Sequence, residues 1–267
     1  YLLATYGYPR AFAYNFGLCF IFQILSYTSL MFTREPPREP EYAPLSAKEY
    51  WRRLPLVLKR NPNFTRYLGA RSLIVMGTMA GSFYVIYAQS RFGVPDEFAA
   101  ELTMAALLTQ AICTPLLGVV ADRKGLKRML ELATVLQLLA MGLVLISPTQ
   151  AWLYVVFALV YAGMAGRLIT SMGMSMEFSA PEDVPTFTAL ESTIIAVPTM
   201  LAPLLGGWLV DHAGLSRPIA GASVEVTGYQ IMFIVAALFT IAGYVALRWF
   251  VREPRHEAPG VGIGAAE

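Results

Sequence analysis

The feature that most limits what this chain can fold into is the length of its apolar runs. Seven stretches, at 11–33, 64–90, 96–120, 127–147, 151–176, 186–210 and 229–250, are almost free of charge. A bilayer core of ~30 Å is crossed by about 20 residues of helix, so each run is long enough to span. Helices satisfy their own backbone polar groups in lipid, and the runs are too long for barrel strands. The expectation is an all-α, multi-pass transmembrane helix bundle of seven spans, with its ends on opposite sides. Hydrophobic residues form 56% of the chain and charged residues 14%, against roughly 25% charged in soluble domains. A net charge of +2 gives nucleic acid no hold, which leaves the lipid bilayer as the first partner.

The bases set the orientation. Arg34, Arg38, Lys48, Arg52, Arg53, Lys59, Arg60 and Arg66 follow the first run. Arg123, Lys124, Lys127 and Arg128 follow the third, and Arg252 and Arg255 follow the last. All three groups fall on one face, which the positive-inside rule makes cytoplasmic. The opposite connections offer only Arg91 and Arg217. A C-terminus in the cytoplasm, in an inner or plasma membrane, is the predicted placement.

The connection at 34–63 opens with "REPPREPEYAP", whose prolines favour an extended path. Ser46-Ala47-Lys48-Glu49 then forms a capping-box pattern, followed by Tyr50, Trp51, Leu54, Val57 and Leu58 among bases. The pattern predicts a helix along the membrane surface, kinked or shortened at Pro55, or else a solvated linker. The ends of the first and last runs echo each other, as "FTREPPRE" at 32–39 and "FVREPRHE" at 250–257. Six spans separate them, the interval expected of six-helix repeats.

Between the third and fourth runs lies "GVVADRKGLKR". A plain positive-inside loop explains the bases of this turn but not its Asp and glycines. Gly118 suits close helix packing and Gly125 a tight turn, while Asp122 can pair with a base or face a helix N-terminus. The turn resembles the cytoplasmic signature of the major facilitator superfamily, G-x-x-x-D-R-x-G-R/K-R/K, with Gly118, Asp122, Arg123, Gly125, Lys127 and Arg128 on its key positions. Leu126 stands where that family often has a base. The segments 61–93 and 179–214 look like the family's seventh span and its connection into the eleventh.

The resemblance implies a secondary active transporter of a small-molecule substrate, working by alternating access, with proton coupling as the family's usual energy source. It assigns 1–33 to the end of an N-terminal half, 34–63 to a central cytoplasmic loop, 64–251 to a C-terminal six-helix half and 252–267 to a cytoplasmic tail. The turn would be a cytoplasmic latch. Spans one to five have no counterpart in the chain, which begins at Tyr1 and not at Met. The expectation is therefore a truncated transporter whose missing N-terminal half is its partner, or else a half-protein that pairs with another chain. A non-transporting membrane sensor or scaffold built on a half bundle is the alternative function.

Charges at membrane depth cost about 2.5–3.5 kcal/mol each and are functional candidates. Arg167 lies deep in the fifth run and Glu191 in the sixth. The spans run antiparallel, so the two side chains are expected at a similar depth, as a cavity-lining pair or a substrate-and-proton site, or as a purely structural pair. Arg71, nearer a span end, is expected to snorkel to the cytoplasmic surface. Tyr84, Tyr87 and Gln110 offer hydrogen bonds to a substrate or to other helices. Pro198 and Pro203 are expected to bend the sixth run, with Gly206 and Gly207 beside them, as an external gate or as a static kink. Cys19 and Cys113 sit inside apolar runs, and His212 and His256 are far apart. No constellation points to a metal, a cofactor, a nucleotide or covalent chemistry, so the chain is not read as an enzyme.

Overall fold

The computed structural model describes residues 9–33, 47–181, 183–219 and 222–254. The chain divides into two units, Tyr1–Pro44 and Leu45–Glu267. The first contains one helix, α1 (Arg10–Met31). The second contains α2 (Ala47–Arg60), α3 (Pro62–Met76), a 3-10 segment (Gly77–Phe83), α4 (Tyr84–Phe92), α5 (Asp96–Lys124), α6 (Leu126–Ile146), α7 (Trp152–Phe178), α8 (Val184–His212) and α9 (Gly228–Phe250). A two-stranded antiparallel hairpin, β1 (Leu215–Ile219) and β2 (Ala222–Val226), joins α8 to α9, pairing Leu215 with Val226 and Ile219 with Ala222.

Among the described residues, six helical segments and not seven are long and apolar enough to cross a bilayer: Pro62–Phe92, Phe98–Lys124, Leu126–Ile146, Trp152–Phe178, Val184–His212 and Gly228–Phe250. α1 is not among them. Its 22 residues give it the length, and it lies in the other unit. Six crossings return the chain to the face it left, so the start of α3 and the end of α9 share one side of the membrane.

Local chemistry explains the boundaries. Asn61 joins α2 to α3, its side-chain amide donating to the Val57 carbonyl at 2.9 Å, and Pro62 takes the first-turn position where a missing N–H costs nothing. α2 runs through Pro55 without ending there. Its buried Leu54 and Val57 pack with Phe64, Leu68 and Leu247 at that end of the bundle, so the amphipathic helix belongs to the six-span unit. α5 stops at Gly125, whose φ of +90° is open only to glycine-like backbones. Thr227 and Gln230 form a capping box that starts α9.

The helices pack in two sets. α5, α6 and α7 form one, while the first span, α8 and α9 form the other, and the sets meet where α6 touches α9 and α7 touches α8. A close seam lies between the first span and α9. A Cβ on Gly243 would come within 2.7 Å of Ile74 Cγ1, 2.8 Å of Ile74 N and 2.9 Å of the Ala70 carbonyl oxygen. One on Gly77 would overlap the Thr240 hydroxyl. Lipid competes with every apolar contact, so backbones that approach this closely gain packing that larger residues forfeit. The seam is closed at its end by Asn63, which donates to the Arg252 carbonyl at 3.1 Å and accepts the Arg252 N–H at 2.9 Å.

Gly243→Val should therefore force the seam apart and lower stability by about 1–3 kcal/mol. Gly81→Ala, with open space around it, should change stability by less than about 0.5 kcal/mol. Unfolding midpoints of the purified full chain separate the two, and equal effects would refute the close approach.

Candidate functional site

The densest polar cluster inside the spans gathers on Glu191. Glu191 lies seven residues into α8 and is buried. Its Oε1 accepts from the Tyr67 hydroxyl at 2.9 Å and forms an ion pair with Arg71 Nη1. Its Oε2 accepts from the Ser175 hydroxyl. Arg71 also donates to the Tyr67 oxygen, and its guanidinium carbon lies 5.8 Å from the Tyr67 ring centre. Three helices thus meet on one carboxylate: α3 through Tyr67 and Arg71, α7 through Ser175, and α8 itself. Phe64, Phe178 and Phe187 wall the cluster, with ring centres 4.7 and 5.4 Å from Phe64 and 5.2 Å between Tyr67 and Phe178.

The pairing of Arg167 with Glu191 is corrected by this geometry. Glu191 comes level with Ser175, eight residues after Arg167 in the chain, which is ~12 Å of helix rise. Arg167 turns instead to α6, donating to Gln137 Oε1 at 2.7 Å. Gly163, one turn earlier, leaves room for it. Arg71 does not snorkel free to the surface, because Glu191 holds it with its side chain only 15% exposed. It is the residue that the sequence reading undervalued.

Tyr84 is buried, its hydroxyl has no hydrogen-bond partner among the described residues, and it lies in electrostatic range of Arg167. Arg71 is also within that range of Arg167. Tyr87 is committed elsewhere. Its hydroxyl accepts from Arg91 at 2.8 Å, and Arg91 reaches the Leu145 carbonyl at 3.0 Å, capping the end of α6. Gln110 is half-buried on α5. Pro198 and Pro203 lie within the unbroken α8. Pro198 is buried and Pro203 exposed. Gly206 packs against the 3-10 segment, 3.0 Å from Phe83 and 3.3 Å from Met79 for an added Cβ, whereas Gly207 faces open space.

The second charged assembly surrounds the turn after α5. Glu131, buried on α6, pairs with Lys127 Nζ at 3.5 Å and with Arg248 Nη1 of α9 at 3.1 Å. Glu253, just past α9, occupies the space beside Gly125 and lies 3.5 Å from the Lys127 amide nitrogen. A side chain at 125 would collide with that carboxylate. Asp122, Arg123, Lys124 and Arg128 are exposed around the turn. Gly118 does not serve close packing within this unit, since an added Cβ there meets nothing within 4 Å. Sequence reasoning missed Glu131, although its spacing of four residues from Lys127 on one helix was visible.

A membrane bundle of six apolar helices with ionisable groups paired inside it has the plan of a transport protein. Residues 72–265 match the family model described as Major Facilitator Superfamily, and the chain belongs to that family of membrane transporters. The match begins one residue after Arg71, so Tyr67 and Arg71 lie outside it. No curated protein matches the chain.

Removing one member of a buried pair strands the other. Glu191→Ala should cost about 3–5 kcal/mol, and Arg71→Met combined with Glu191→Leu should recover most of that. Unfolding midpoints of the full chain test the cycle, and a double variant as unstable as the sum of the singles would rule out the pairing.

Proposed function

We propose that this chain is the C-terminal half of a secondary transporter that carries a small solute across the membrane by alternating access, and that Glu191 is its proton-responsive group. The supporting observation is the position of Glu191, where α3, α7 and α8 meet with Arg71, Tyr67 and Ser175 around a single carboxylate. Protonating Glu191 would cancel the charge that holds Arg71 and loosen the junction of the three helices. Coupling proton binding to a change of packing is what alternating access requires.

Arg167 and Tyr84 are the proposed solute contacts. A buried hydroxyl with no partner among the described residues calls for an occupant, and its neighbour Arg167 favours a solute with an anionic or acceptor group. Gln110 and Tyr87 are assigned flanking roles, and Pro198, Pro203, Gly206 and Gly207 a gate in α8. The turn at 118–128, with Gly118, Asp122, Arg123, Gly125, Lys127 and Arg128, is the proposed latch of the closed cytoplasmic side against an N-terminal six-helix half. In this reading 1–33 ends that half, 34–63 is the loop between halves and 252–267 is a cytoplasmic tail. The base distribution supports a cytoplasmic C-terminus in an inner or plasma membrane.

The test is uptake in proteoliposomes under an imposed pH gradient, screened across a panel of anionic and neutral solutes with the complete transporter. For a solute that the unaltered protein accumulates, Glu191→Gln should abolish gradient-driven accumulation and retain exchange of solute across the membrane. Accumulation that continues at the original level would sink the assignment of Glu191.

A further inference from the structure

We propose that the cavity beside the charged turn is a binding site for the phosphodiester headgroup of an anionic phospholipid. The cavity has a volume of about 350 Å³, within the range of specific small-ligand sites. Five cations line it: Arg123, Lys124, Lys127, Arg128 and Arg248. Two carboxylates, Glu131 and Glu253, offset part of that charge, and the lining keeps an excess of three positive charges. Those carboxylates also organise the site. Glu131 fixes Lys127 and Arg248 from the buried side, so both ammonium and guanidinium groups are held in place before any ligand arrives.

Placement selects a lipid over a soluble anion. The cavity is built from the end of α5, the start of α6 and the last turn of α9, the level at which three apolar spans stop. Arg248 stays 55% exposed at its side chain despite its bond to Glu131. The next two residues, Trp249 and Phe250, are 75% and 60% exposed. Aromatic side chains next to bases at a span end mark headgroup depth, and Leu132, one residue after Glu131 on α6, is exposed as well. A headgroup phosphate at this level would leave its acyl chains in the bilayer beside these exposed apolar side chains. The site is separate from the Glu191 cluster but shares Arg123, Lys127 and Arg128 with the proposed latch, so lipid and latch are alternative engagements of the same bases, and lipid occupancy can be measured without any transport assay.

The experiment is native mass spectrometry and thermal unfolding of the purified full chain, titrated with phosphatidylglycerol, phosphatidylcholine, inorganic phosphate or glycerol phosphate. Phosphatidylglycerol should be retained on the protein and raise its unfolding midpoint, and phosphatidylcholine should do neither. Lys124→Gln/Arg128→Gln/Arg248→Gln should weaken phosphatidylglycerol binding by about fivefold for each base removed. Should that variant not fold, Lys124→Gln alone carries the same prediction for one base. Equal binding of the two lipids, or no weakening in the variants, overturns the site. An equal loss in Lys59→Gln/Arg66→Gln would reduce the effect to general surface charge and overturn it as well. Stabilisation by inorganic phosphate or glycerol phosphate that equals the lipid's would overturn the lipid as occupant and leave a soluble phosphate in its place.

Discussion

The bundle depends on the contact between its first and last spans. A chain of six helices in lipid gains nothing from hiding apolar side chains from a medium that is itself apolar, so it is held by backbone proximity and by polar groups that find one another. Gly77, Gly243, Ala70, Ala236 and Thr240 bring α3 and α9 to that proximity, and Asn63 fastens both peptide groups of Arg252 at the rim. The closure also fixes where the end of the chain runs. With Arg252 anchored, Glu253 falls beside Gly125, and the charged turn becomes part of the seam.

Two buried glutamates stand where the two helix sets join. Glu131 bridges α6 to α9 through Arg248, and Glu191 bridges α7 and α8 to the first span through Ser175, Tyr67 and Arg71. Neither carboxylate is needed to hold a helix together. Each holds one set of helices to the other, and each carries a charge that the membrane interior makes costly to leave alone. Both carboxylates therefore sit on the contacts that tie one set of helices to the other.

The spans were legible because apolar length is a strong signal, and the charged turn because its glycines and Asp stand at fixed spacing. The partners of the buried charges were less so. Matching Arg167 to Glu191 used depth counted through a short turn, and depth says nothing of the direction a side chain takes around its helix. A better signal was present. α3 and α8 start from the same face, with Arg71 nine residues into one and Glu191 seven into the other, or ~13 and ~10 Å by helix rise. Opposite charges at nearly equal depth on two helices that point the same way are natural partners. The predicted span at 11–33 corresponds to α1, which is helical but is not among the six segments.

The 3-10 segment Gly77–Phe83 alters the first span in a way that neither hydropathy nor charge records. Each 3-10 residue turns about 120° and rises about 2.0 Å, against about 100° and 1.5 Å in an α-helix. Over the seven residues of the segment the difference accumulates to roughly 140° of rotation and 3.5 Å of length. That added rotation brings the face that carries Tyr67 and Arg71 on α3 into phase with the face that carries Tyr84 and Tyr87 on α4, and all three tyrosines are buried. A continuous α-helix over the same residues would leave the two tyrosines roughly half a turn around the axis from Arg71, so the change of pitch at the middle of the span acts as a phase corrector between its two ends.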